Sequence, residues 1–434
     1  MLHWEMEAES EFVEVLRFLE SHRAFFDFRL VDMFVAERRE HIPREWLESL
    51  ASTSFEEWRD LPRKTPVACL ADNFPPSLVE LVRGCRRFSR LSDGAHVSSA
   101  TDEPSLPGVK RKKNLELRPL ATVVAQHCRS VGASTVVDVG CGLGHLGRLL
   151  RRRYHLAVVG VEADEALCGR QQALDADDTA SSTMVPLRVG DEESLRRLGG
   201  LIEARRDRCA LLSLHGCGDL QPTLVDFFVD KRPRNLVLLL LVPCCYHKMK
   251  AAESKSSYPM SAALRRAYAR LNVDSLSPYS LRLASQETLR RWELQTQSDW
   301  NKRVENNFYR SILQVVAHRE GRGHEKLSRP RLRGRPLGAE SFLEYAVGAT
   351  RSWATPLRAD ALRSAFAEHA DSARECACFC LLQALFQGVT ESLLVGDRVC
   401  RLREAAELAV STQAAFDARV SPRNCLLVAA VPIA

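Results

Sequence analysis

Three glycines at alternate positions, Gly140, Gly142 and Gly144, follow the apolar run TVVDV and precede the amphipathic stretch LGRLLRRRYH. Alternate glycines let a chain turn tightly from strand to helix and bring backbone amides close to a ligand at the helix N-terminus. A second apolar run ends in Glu162, eighteen residues past Gly144, where a carboxylate accepts hydrogen bonds from ribose hydroxyls. Asp138 stands just before the glycines and suits a cation-bearing nucleotide better than a pyrophosphate. The G-x-G-x-G spacing also departs from the G-x-G-x-x-G of dinucleotide sites. Asp191, after the third apolar run, is placed to reach an adenine amino group. A tight turn without a ligand and a dinucleotide site remain open as alternatives.

Two polar clusters follow later apolar runs: His215-Gly216-Cys217-Gly218-Asp219 and Pro243-Cys244-Cys245-Tyr246-His247-Lys248. Ligands of open α/β sheets bind outside the carboxyl ends of the strands, so these loops are the expected walls of an acceptor pocket. His215, Asp219, Tyr246 and His247 are the candidates for orienting an acceptor and taking its proton. Cys244, Cys245 and Lys248 are candidates for binding it. No metal site is expected, because adjacent cysteines rarely supply two ligands to one ion and no C-x-x-C pair is present. Packing at a strand end is the plainer reading of Cys244 and Cys245. Cys376, Cys378 and Cys380 read as core residues of an apolar helix.

These residues need a parallel sheet to position them. From about 115 to 318, short apolar runs alternate with amphipathic stretches, the pattern of an α/β domain. The expected strands are 135–140, 156–162, 186–190, 210–215, 236–242 and, after a longer excursion, 309–318. Residues 1–90 read as helical and 91–114 as a linker. A basic loop is expected over 319–338 and a further helical region over 339–434. The apolar run Leu236–Tyr246 is too short to span a bilayer and reads as a strand buried on both faces.

The 434 residues suffice for two or three domains, and 45% hydrophobic with 27% charged residues is ordinary for a globular chain. The N-terminus MLHWEMEAESEF is acidic and has no apolar leader core. With fourteen cysteines and no disulfide framework, a reducing cytoplasmic or nuclear compartment is expected. A net charge of +6 permits a polyanionic partner without demanding one. Basic runs occur at 110–113, 151–153, 231–234 and 319–335; each reads equally well as a solvated surface or as a phosphate-binding one. No DNA-binding motif and no RNA-binding module with stacking aromatics is visible.

The glycine turn with its flanking acids resembles motif I of the seven-strand S-adenosylmethionine-dependent methyltransferases. DVGCGLGHLGRLL, SLHGCGDL, VPCCYHKM and the C-terminal SPRN together resemble the methyltransferase-like protein 25 family, over most of the chain. More distantly, the HGCGDL and PCCYH pair is similar to that of the Trm-thirteen type of tRNA 2′-O-methyltransferases. The resemblance implies an α/β, Rossmann-like, class I methyltransferase sheet of seven strands with N-terminal and C-terminal helical extensions. It implies S-adenosylmethionine as cofactor, with Asp138, Gly140, Gly142 and Gly144 along its methionine half, Glu162 at the ribose and Asp191 at the adenine. It also implies RNA as the acceptor, with Lys112 and Lys113 where these relatives carry lysine. A protein acceptor and a non-catalytic scaffold are the alternatives. The fourth run ends in HGCGDL rather than the Asn/Asp-Pro-Pro-aromatic loop of N6-adenine enzymes, which does not favour N6-adenine over hydroxyl methylation.

Overall fold

A computed structural model describes residues 3–63, 66–90, 108–175, 183–250, 257–286, 288–328, 330 and 337–432. Most of the expected linker (91–107) and part of the basic loop (329 and 331–336) lie outside the described residues. Seven strands form one sheet: β1 (Thr135–Val139), β2 (Ala157–Glu162), β3 (Thr183–Pro186), β4 (Cys209–Cys217), β5 (Leu236–Cys244), β6 (Ala409–Ala414) and β7 (Cys425–Ala430). Their order is β3-β2-β1-β4-β5-β7-β6. The first five run parallel, and β7 is inserted antiparallel between β5 and β6. This is the Rossmann-like seven-strand α/β sheet that the resemblance implied.

The parallel strands read as continuous apolar runs because both faces are covered. On one face Leu120 and Val124 of the lead helix (Arg111–Ser130), with Leu146 and Leu150, pack on Val136, Leu212, Leu240 and Val428. On the other, Leu198, Ile202, Leu224 and Phe228 pack on Val137, Leu211, Leu239 and Leu427. Every residue of β5 is buried, as expected of a two-sided strand.

The third strand ends at Pro186, so 187–190 run past the ladder as loop. The run 309–318 is not a strand. It belongs to a helix, Gln297–Arg319, opened by a capping box in which Thr296 and Asp299 satisfy each other's backbone amides. The helix crosses the middle of a separate helical core, where Phe308, Tyr309, Ile312, Leu313 and Val316 are all buried. Burial on every side erased the amphipathic period and made the run look like a strand. The strands that finish the sheet come from residues 409–430, inside the region expected to be helical.

That second core joins the N-terminal helices to the C-terminal ones around a 31-residue core helix, Ala373–Arg403. Phe26 stacks on Phe386 at 4.7 Å between centroids. The core helix falls in the one described stretch apolar enough to cross a membrane, but 83% of that window is buried within the protein. Cys376, Cys378 and Cys380 are buried in it, as expected for core residues. Near its C-terminal end, Asp397 accepts from Met260 N and from Ser261 N and Oγ at 2.7–2.8 Å, tying the helical core to the chain that leaves β5.

Candidate active site

The strand order reverses between β1 and β4, and ligands of open parallel sheets bind outside the strand ends at that point. The glycine turn leaves β1 there. Gly140, Gly142 and Gly144 all have positive φ (76°, 59° and 64°), a conformation that other residues adopt at a steric cost. A Cβ on Gly144 would overlap the Gln171 amide at 2.2–2.5 Å, whereas one on Gly142 would meet nothing within 4 Å. Gly142 therefore borders open space. Glu162, at the end of β2, steadies the turn: Oε2 accepts from Gly142 N at 2.8 Å, and Oε1 accepts from Ala163 N and Asp164 N. Oε1 is then fully engaged, and Oε2 keeps one lone pair for a ribose hydroxyl.

Asp138 is 2% exposed and its Oδ1 has no hydrogen-bond partner. Burial pushes its carboxyl up to about 7, against the pull of Lys113. An unpartnered carboxylate oxygen at a glycine turn fits a cationic group of a ligand. Asp191 is the N-cap of the helix Glu192–Glu203, where Oδ1 accepts from Ser194 N at 2.8 Å. It lines, with Asp219, a cleft of about 990 Å³.

The acceptor loops leave β4 and β5 side by side. His215 is an extra residue in the β4–β5 ladder, which passes from Leu214↔Val242 to Gly216↔Pro243. Its φ of 62° marks a bulge that turns the ring out of the sheet. The ring then meets Glu116 of the lead helix, with Nε2 3.4 Å from Oε2. Burial raises the Glu116 carboxyl, but His215 and Lys113 outweigh it and hold the group below its ordinary value. Ser421, in the loop between β6 and β7, adds a hydrogen bond in the same sense.

His247 follows β5. Burial first, then the nearby charges of Arg282, Lys248 and Arg423, lower its pKa and favour the neutral ring. Arg423 is held by two hydrogen bonds to Ser285 O.

Two expected catalytic side chains are structural. Tyr246 is 1% exposed, its hydroxyl donates to Glu391 Oε1 at 3.4 Å, and Arg398 covers its ring. Burial keeps it protonated, and it does not open onto the acceptor edge. Asp219 accepts from Lys250 N and from Ser257 Oγ, so it anchors the chain beyond the second loop. The sulfurs of Cys217, Cys244 and Cys245 converge at this edge.

Among the basic runs, Lys112 and Lys113 lie in the first turn of the lead helix rather than ahead of it, and Lys113 reaches Glu116 at 3.6 Å. Lys231 and Arg232 are paired with Glu192 and Glu407. The described part of the basic loop packs on the helical core: Arg322 lies 4.3 Å over the Trp353 ring and Arg319 pairs with Glu368. Its expected place at the sheet edge depended on a strand over 309–318 and falls with it. Glu116, Ser421 and Arg423 were not picked out from the sequence, although SPRN contains two of them.

Residues 112–252 match the model of a family described as a methyltransferase domain. This segment, about a third of the chain, is similar to that family. The unpartnered Asp138 oxygen, the open space at Gly142 and Glu162 fit the amino and ribose groups of S-adenosylmethionine. The methyltransferase domain is similar to solved structures of low identity. One is the S-adenosylmethionine-dependent methyltransferase from Agrobacterium tumefaciens: 15% identity, 37% of this chain, 51% of that one, TM-score 0.25. Another is Streptomyces venezuelae DesVI: 18% identity, 30% of this chain, 52% of that one, TM-score 0.21. A third is coclaurine N-methyltransferase bound to N-methylheliamine and SAH: 9% identity, 92% of this chain, all of that one, TM-score 0.28. The chain spans about half the length of the first two. Scores this low carry no argument about substrate.

Proposed function

We propose that the protein is an S-adenosylmethionine-dependent methyltransferase that acts on RNA, in the manner of the methyltransferase-like protein 25 family that its motifs resemble. The observation that carries the RNA reading is the charge around the acceptor loops. Lys113, Lys248, Arg282 and Arg423 all bear on the groups at this edge. Cations so grouped suit phosphates, which position a nucleic acid without reading its sequence.

When bound, the cofactor supplies a methyl group on a sulfonium. Asp138 holds its amino group and Glu162 its ribose. His215 removes the acceptor proton, and Glu116 is a positioning residue that orients the ring. A hydroxyl acceptor suits this pair, because a hydroxyl must lose a proton as it is methylated.

Incubating cell extracts with the protein and labelled cofactor, with and without ribonuclease, tests the proposal. Label should vanish with ribonuclease and persist with protease. Label that survives ribonuclease but not protease identifies a protein acceptor and overturns the RNA reading. Calorimetry with S-adenosylmethionine tests the cofactor separately, and Gly142→Arg should abolish binding by filling the open side of the turn.

A further inference from the structure

Three sulfurs at the acceptor edge form a site that methyl transfer, as derived above, does not use. Cys217 ends β4 and Cys244 ends β5, where the two are paired across the ladder. Their Sγ atoms are 3.3 Å apart. In a continuing strand Cys245 would point to the opposite face from Cys244. Its left-handed φ of 47° breaks that alternation and brings its sulfur to the same side. All three Sγ atoms then lie within 4.8 Å of one another. The cluster is graded in exposure: Cys244 is buried, Cys245 is half-buried and Cys217 is exposed. It therefore has one open side, unlike Cys376, Cys378 and Cys380, which are all buried.

We propose that Cys217, Cys244 and Cys245 bind one thiophilic divalent cation of the zinc class, with the fourth position open to solvent. A tetrahedral ion with zinc–sulfur bonds of 2.3 Å needs sulfurs about 3.8 Å apart. That value falls inside the observed spread, so small side-chain rotations close the site. Calcium and magnesium are excluded by the donor set, since these hard cations take oxygen ligands. Each thiol releases its proton on binding, and three thiolates around a dication leave one net negative charge. Lys248, whose charge bears on Cys217, offsets it.

No fourth protein ligand joins the cluster among the described residues, which is the pattern of sites that keep a position for water or a ligand. The ion would lock together two loops that already touch: a Cβ on Gly218 would lie 2.7 Å from Lys248 O. A bound ion thus fixes the spacing between the loop carrying His215 and the loop carrying His247.

The test uses the full-length chain, stripped of metal and titrated with zinc against a chromophoric chelator, then with cobalt(II). One zinc per chain is expected, and the cobalt form should show intense thiolate-to-metal charge-transfer absorption. Cys217→Ser and Cys245→Ser should each weaken zinc binding by more than the roughly 10- to 100-fold that loss of an outer-shell partner costs. Cys69→Ser, an exposed cysteine elsewhere, should leave it unchanged. Zinc affinity equal in all three variants, or cobalt without charge-transfer bands, overturns the proposal. So does a Cys217–Cys244 disulfide in protein whose thiols were trapped at lysis. No methyl donor enters these measurements, so their outcome is separate from that of the methyltransferase reading.

Discussion

Asp138 carries the sharpest consequence for pH. Its folded value of about 7 lies above the ordinary 3.8, so the folded chain holds a proton there that the unfolded chain releases. Stability in the absence of ligand therefore falls as pH rises from about 4 to 7 and is level above that window. Asp138→Asn should melt higher than the parent chain at pH 8, an advantage that shrinks as pH falls and is absent below 4. A cationic ligand reverses the preference, because it favours the anion. S-adenosylmethionine affinity should weaken by up to about tenfold per pH unit below 7 in the parent chain. In Asp138→Asn, calorimetry should find weak binding that does not vary with pH. Glu116→Gln should lower turnover by about 10²-fold with KM and cofactor affinity unchanged, whereas a merely structural role would lower stability and cofactor affinity together. Tyr246→Phe should keep its turnover and lose only about 1 kcal/mol of stability in denaturant unfolding, the worth of one hydrogen bond. The cofactor half of this site was legible because Asp138, the glycines and Glu162 follow one another closely along β1 and β2. The acceptor half was not. Glu116 meets His215, and Ser421 meets Glu116, only across the sheet edge, and nothing in HGCGDL announces a bulge that turns a histidine toward a helix a hundred residues earlier.

At the scale of elements, β7 decides whether the sheet exists. It pairs with β5 on one side and β6 on the other, and Leu426 and Leu427 face opposite cores. Ending the chain at Arg403 would uncover the apolar edge of β5, a template for aggregation. The truncated protein should be insoluble or should bind a hydrophobic dye, even though residues 112–252 remain intact; a monomeric, cofactor-binding fragment would contradict this. Four of the five parallel strands could be read in place from their apolar runs because each sits beside a turn residue and a helix-sized spacer, and the third was read a few residues late. The exchange of a helix for a strand at 309–318 has a physical origin, since a segment buried on all sides carries no period that separates 3.6 from 2. The capping pair Thr296 and Asp299 was the local clue, thirteen residues upstream of the run it governs.

For the molecule as a whole, charge is gathered rather than spread. Much of the basic material is neutralised by Glu192, Glu407, Glu368 and other acids, and the cations that bear on the acceptor edge come from four separate segments. RNA binding should therefore depend on salt with a modest slope. Lys248→Ala or Arg423→Ala should each reduce that slope by about one in a titration at several salt concentrations, without sequence preference. An unchanged slope would move the phosphate path elsewhere. The late arrival of β6 and β7 bears on how the protein is made. A ribosome delivers β5 long before Cys425, and the later helices of the helical core, from Ala262 to Arg403, emerge between the two. Until the last strand is released, the most apolar segment of the sheet has one edge with no partner. The nascent chain must pass through a stage in which this edge is shielded by a chaperone or by transient contacts, and a stalled ribosome would expose it.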